Sequence, residues 1–167
     1  MKKQIDIEQK KEQYASFMDA CKTLVISSKD GNGDPFISYT PYIQLNGKFY
    51  IYISRISDHY RFIESNEFIH IMMIADEKGA QNKFALERVR FQCTTENIGN
   101  EGHGEIFARF EKDHGKAMMD LLRGLDFSLF ELNPRAGRYV VGFGQAFDVD
   151  VTGSTFTHVV VDKKDKQ

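Results

Sequence analysis

Two apolar segments, Phe36 to Leu45 and Lys48 to Ser54, flank the dipeptide Asn46-Gly47. Asn-Gly between strand-like runs favours a two-residue type I′ hairpin, because both central residues must take positive φ. This local signal commits the chain to antiparallel β-structure. Upstream, Thr23-Leu24-Val25-Ile26-Ser27-Ser28 is a short apolar and β-branched run. It is closed by Asp30-Gly31-Asn32-Gly33-Asp34-Pro35, where glycine supplies positive φ and proline ends pairing. Phe68 to Ile74 is an almost unbroken apolar strand, expected at the centre of a barrel. Val89 to Thr95 alternates, with Val89, Phe91 and Cys93 on one face and Arg90, Gln92 and Thr94 on the other. Phe127 to Leu132 and Arg138 to Val151 complete the strand set.

Helical periodicity is confined to three segments. Ile7 to Ala20 carries Ile7, Tyr14, Phe17 and Met18 among polar residues, an amphipathic entry helix expected over one barrel mouth. Ser57 to Asn66 reads as a short helix with Ser57 placed to cap it. From Gly104 to Leu125, Phe107, Phe110, Ala117, Met118, Leu121 and Leu125 recur at the spacing of one helix. The chain of 167 residues, rich in Phe (14) and Tyr (7), suits one β-rich domain over 1–167, with 1–20 as the N-terminal helical segment and 162–167 as a flexible tail.

The formal net charge is −2, so no global positive field draws in nucleic acid or anionic lipid. No run approaches the roughly 20 apolar residues of a membrane span, and the N-terminus has no apolar leader, so a cytoplasmic protein with no membrane partner is expected. Cys21 and Cys93 show no paired spacing and read as reduced, small hydrophobes. Walker, HExxH, GxSxG and paired-cysteine zinc patterns are lacking. Gly142-Phe143-Gly144 lies inside a β-like run with no third glycine before a helix, so these glycines read as easing strand coiling or close backbone approach.

Taken in order, Cys21-Lys22-Thr23-Leu24, Ile37-Ser38-Tyr39-Thr40-Pro41-Tyr42, Ile53-Ser54 with His59 and Arg61, Ile71-Met72-Met73-Ile74, Leu125-Asp126-Phe127-Ser128-Leu129-Phe130 and Gly142-Phe143-Gly144-Gln145-Ala146 resemble one family. It is the pyridoxamine-phosphate-oxidase-like split barrel, in its heme-utilisation (HutZ/HugZ-type) branch. The resemblance runs from about Phe17 to Phe156. It implies a mainly β fold, an FMN-binding-type split β-barrel with flanking helices, assembled as a homodimer with the cofactor cleft where two subunits meet. It also implies cofactor-binding positions at Ser54, Arg55, Ser57, His59, Arg61, Arg88 and Arg90. Asp126, the catalytic candidate, stands where heme-degrading relatives carry an aspartate that hydrogen-bonds the iron-ligating histidine, or else is an ordinary helix-to-strand turn residue.

Two departures bear on the cofactor. Flavin-binding relatives follow the capping serine with basic residues that hold the phosphate, whereas this chain reads Ser57-Asp58-His59-Tyr60-Arg61. Asp58 sets a negative charge there, and like charges about 4 Å apart in a partly dry site repel by several kcal/mol. Heme-degrading relatives supply an iron ligand from a C-terminal histidine, and the segment Asp162 to Gln167 carries none. His158 is the histidine nearest that end and is the substitute ligand, or else an ordinary hydrogen-bonded strand residue. His59 and Arg61 could pair with heme propionates or lie on a solvated helix face, and Arg90 is equally accounted for by solvation. His103 and His114 read as residues beside one helix and His70 as a satisfied core or interface residue, none of them a ligand.

The favoured expectation is a heme-utilisation protein that binds heme at a dimer-interface cleft, with oxidative heme degradation of the heme-oxygenase type as a further implied activity. FMN, in an FMN-dependent oxidoreductase of the same superfamily, is the alternative cofactor. A non-catalytic heme carrier or storage protein is the third reading, and enzyme and carrier stay open on sequence alone.

Overall fold

The computed structural model describes residues 5–160. The tail reading over 162–167 and the start of the 1–20 segment lie outside them. The chain runs α1 (Ile7–Ala20), β1 (Thr23–Lys29), β2 (Pro35–Leu45), β3 (Lys48–Ser54), α2 (Asp58–Ser65), β4 (Phe68–Ile74) and two single 3₁₀ turns. Then follow β5 (Arg88–Asn97), α3 (Gly104–His114), α4 (Lys116–Arg123), β6 (Phe127–Gly142), β7 (Gln145–Val149) and β8 (Phe156–His158).

All strand pairs are antiparallel, and the order β3-β2-β1-β4-β5-β6 closes on itself through a β3–β6 ladder, giving a six-stranded barrel. The chain is thus mainly β, a split barrel with flanking helices. The 16-residue β6 does two tasks. Its first half, Phe127 to Leu132, pairs with β3, and its second half carries β7 and then β8 outside the barrel.

The Asn46-Gly47 hairpin forms as the sequence requires, with φ of 52° and 75°. Val89, Phe91 and Cys93 are fully buried while Arg90 is exposed, as the alternation of β5 predicts. On β3, Phe49, Ile51 and Ile53 fill the barrel, and Tyr50 and Tyr52 on the other face are buried against a second layer. That layer is α3 and α4, which bring Ile106, Phe107, Phe110 and Met119 onto Ile43, Tyr50, Tyr52 and Leu129. Helix α1 seats Tyr14 and Phe17 against Tyr139, with ring centroids 5.0 and 6.0 Å apart.

Four expectations are corrected. The 104–125 helix is two helices, broken where Gly115 takes φ 95°, a conformation that L side chains rarely adopt. Phe127–Leu132 and Arg138–Gly142 belong to one strand, because β6 opposes Pro134 to Cys93 and Gly137 to Phe91 and so absorbs an extra residue as a bulge. Gly142-Phe143-Gly144 is not strand interior but the β6–β7 turn, with Gly144 at φ 65°. Ser57 stands at the N-cap of α2, yet its hydroxyl donates to the Ser54 carbonyl at 2.6 Å and caps nothing.

Candidate functional site

The end of β3, the middle of β2 and the α3–α4 pair enclose a cleft of about 410 Å³. Its size is that of a small-molecule site. Tyr52, Phe110, Phe127, Met118 and Met119 form apolar walls, and Thr40, Ser54, His59 and His114 supply polar groups. Alternation along β2 puts Pro41 in the wall and carries the same face outward to Tyr39 and Ile37, which are 59% and 73% exposed.

Asp126 anchors one edge. Ser54 Oγ donates to its carboxylate oxygens at 3.0 and 3.1 Å, and the Ile56 N–H donates at 3.3 Å. The Arg55 N–H donates to the Asp126 carbonyl at 3.0 Å. These bonds clamp the end of β3 to the start of β6 and set the entry angle of α2. His59, in the first turn of α2, is half-buried; burial lowers its pKa, and the Asp58 charge opposes this. At neutral pH it is an uncharged imidazole.

His114 ends α3, with its Nε2 2.8 Å from the Tyr42 carbonyl and its ring 5.9 Å from that of Phe110. A carbonyl only accepts, so Nε2 carries the hydrogen and Nδ1 keeps its lone pair in the neutral ring. Burial raises the Tyr52 hydroxyl pKa, while the positive charges of Arg123 and Arg55 oppose that rise. In sequence, Arg55 and Arg123 directly follow two residues that line the cleft, Ser54 and Leu122. Arg123 also lies 4.3 Å over the Phe107 ring and 3.5 Å from Glu111.

Ser54 and His59 line the cleft, and Asp126 is tied to it through the Ser54 hydroxyl and the Arg55 N–H. Ser57 and Arg61 are nearby but engaged, the first with Ser54 and the second with Asp58 at 3.1 Å. Arg88 donates to the Leu86 carbonyl at 2.7 Å, and Arg90 projects outward beside Met72 and Arg138; neither lines the cleft. His158 lies on β8 with Nε2 2.8 Å from the Gly144 carbonyl, also outside the cleft. His70 is exposed on β4 rather than a core residue.

Sequence reasoning missed His114, Tyr52 and Arg123. Helical spacing placed His114 beside its helix, but its tie to Tyr42 spans 72 residues and has no local signature. Among the described residues no group of three or more His, Cys, Asp or Glu could hold a bare metal ion. No helix among them is long and apolar enough to cross a membrane. Both cysteines are free, and burial pushes the Cys21 and Cys93 thiols up to about 11 and about 12.

A family model for pyridoxamine 5′-phosphate oxidase matches residues 11–141. Heme oxygenase HutZ of Vibrio cholerae is 35% identical over 137 residues, which is 80% of this chain and 77% of that protein. The crystal structure of Campylobacter jejuni ChuZ matches with a TM-score of 0.85 at 30% identity, over 95% of this chain and 65% of that one, so this chain spans about two thirds of its length. The crystal structure of Vibrio cholerae HutZ, described there as a heme storage protein, matches with a TM-score of 0.75 at 29% identity, over 83% of this chain and 99% of that one.

Proposed function

The chain belongs to the pyridoxamine 5′-phosphate oxidase family, in its heme-utilisation branch, and on that premise we propose that it binds heme in the α3–α4 cleft, acting as a homodimer in the cytoplasm. The reading rests on one observation: an apolar, aromatic-walled cleft whose polar groups are imidazoles and hydroxyls. That donor set fits a flat apolar macrocycle with nitrogen-ligated iron and two carboxylates.

Heme, when bound, would supply the iron that takes oxygen or electrons. The chain's own residues do the rest. Tyr52, Phe110 and Phe127 would contact the macrocycle and exclude water, and Arg55, with Arg123 once it leaves Glu111, would hold the propionates by charge-assisted hydrogen bonds. His59, uncharged, would accept or donate a hydrogen bond inside the cleft, and Asp126 positions the β3–α2 turn that carries it.

The groups that would grip a flavin phosphate fit less well. Arg61 is paired with Asp58, and the Ser57 hydroxyl is turned onto the Ser54 carbonyl. A homodimer accounts for the apolar face that leaves the cleft along β2 through Tyr39 and Ile37, continued on α4 by Met118 and Leu121, all more than half exposed. Two free thiols agree with a reducing compartment.

The test is titration of ferric heme into the purified chain, followed at the Soret band, beside reconstitution with FMN. Saturable heme binding without flavin binding supports the reading; the reverse pattern overturns it. Loss of the Soret band on adding ascorbate and oxygen would mark degradation, and its persistence would mark carriage or storage.

A further inference from the structure

Resting on the heme reading, we propose that His114 is the iron ligand, through Nδ1. Three histidines are held by Nε2 at a backbone carbonyl: His103 at Ile98 (3.1 Å), His114 at Tyr42 (2.8 Å) and His158 at Gly144 (2.8 Å). Such a bond fixes the tautomer, aims the other nitrogen as a lone pair and strengthens it as a donor, which is how metal-bound histidines are oriented. Of these three, His114 alone lines the cleft. His59 shares the cleft, but among the described hydrogen bonds it has none, so its ring is held in neither tautomer. One histidine is thereby oriented for ligation and the other left free for hydrogen bonding.

The backbone supports the assignment. His114 is the last residue of α3, and Gly115, at φ 95°, turns the chain directly after it. The imidazole therefore sits at a fixed corner between two helices, braced by the Phe110 ring one turn earlier and by β2 through Tyr42. A carbonyl-held imidazole on packed elements has the rigidity that a ligand needs. His158, bonded equally well to its carbonyl, lies on β8 beside Phe147 and does not line the cleft.

The test uses ferric and ferrous heme with the full-length wild type, His114→Ala, His114→Gln and His158→Ala. It reads the Soret position, the iron–histidine stretch by resonance Raman, and the melting temperature without heme. Glutamine keeps a side-chain donor for the Tyr42 carbonyl and removes the imidazole, so it separates ligation from folding. The expected result is an iron–histidine band in wild type and His158→Ala. Both His114 variants should lose the band and weaken heme binding about tenfold or more, the scale that even outer-shell losses reach. Imidazole added to His114→Ala should restore the Soret position. A wild-type band in His114→Gln, or its loss in His158→Ala, overturns the assignment. Wild-type protein that binds no heme overturns the heme reading itself, and the assignment with it.

Discussion

Ser54 and Asp126, 72 residues apart, meet side chain to side chain, with Ser54 Oγ 3.0 Å from one carboxylate oxygen and 3.1 Å from the other. Asp126→Ala leaves that hydroxyl and the Ile56 N–H without their acceptor at an exposed position, a loss of about 1 kcal/mol. Urea denaturation should show that small change, and heme titration should show a larger fall in affinity because the β3–α2 turn loses its clamp. Asp126→Asn, which keeps an acceptor, should recover part of both. Unchanged heme affinity in Asp126→Ala would remove the turn from the binding account.

Gly137 has no room for a side chain. A Cβ there would lie 2.4 Å from a Phe91 ring carbon and 2.7 Å from the Arg90 carbonyl, in the bulged part of the β5–β6 ladder. Gly137→Ala should therefore cost roughly 1–3 kcal/mol as overpacking. Phe91→Leu in the same chain should return only part of it, since the Arg90 carbonyl stays in place. Denaturant midpoints of the single and double variants measure the coupling.

His59 gives stability a pH dependence. Burial, opposed by Asp58, holds its pKa below the ordinary histidine value in the folded chain. The unfolded chain takes up that proton at a higher pH, so the contribution is intact above the ordinary value and declines as the pH falls through it. His59→Asn should flatten the stability slope between about pH 5 and pH 7. A slope identical to wild type, measured by denaturation across that range, would place the titration on other groups.

Ile37 and Tyr39 extend the cleft's β2 wall onto open surface. If a second copy covers them, Ile37→Glu should shift the chain from dimer to monomer in sedimentation while its melting curve stays cooperative. Dimer dissociation should also weaken heme binding if the cleft is completed across the interface. A wild-type chain that sediments as a monomer would contradict both.

What could be read from the residues was whatever local geometry decides. Asn46-Gly47 forced its own turn, and the alternation of Val89, Phe91 and Cys93 against Arg90 named the inner face of β5. The helix break at Gly115 was missed because the apolar spacing over Gly104 to Leu125 continues across it from Phe110 to Ala117 and Met118, so only the backbone angle reveals it. Phe127–Leu132 and Arg138–Val151 read as separate strands and Gly142-Phe143-Gly144 as strand coiling, but a bulge carries β6 across the gap and a tight turn uses the glycines. The candidate site was half visible. Ser54, His59 and Asp126 came from the resemblance, whereas His114 enters through a carbonyl on a distant strand, a tie with no local signature.

Heme titration of the unmodified chain, with the protein concentration held well above the expected dissociation constant, decides whether the cleft takes heme. Heme binding in the cleft gives a Soret change that saturates at a fixed heme-to-chain ratio and that FMN does not displace. A linear, non-saturating change, or one abolished by FMN, would contradict it.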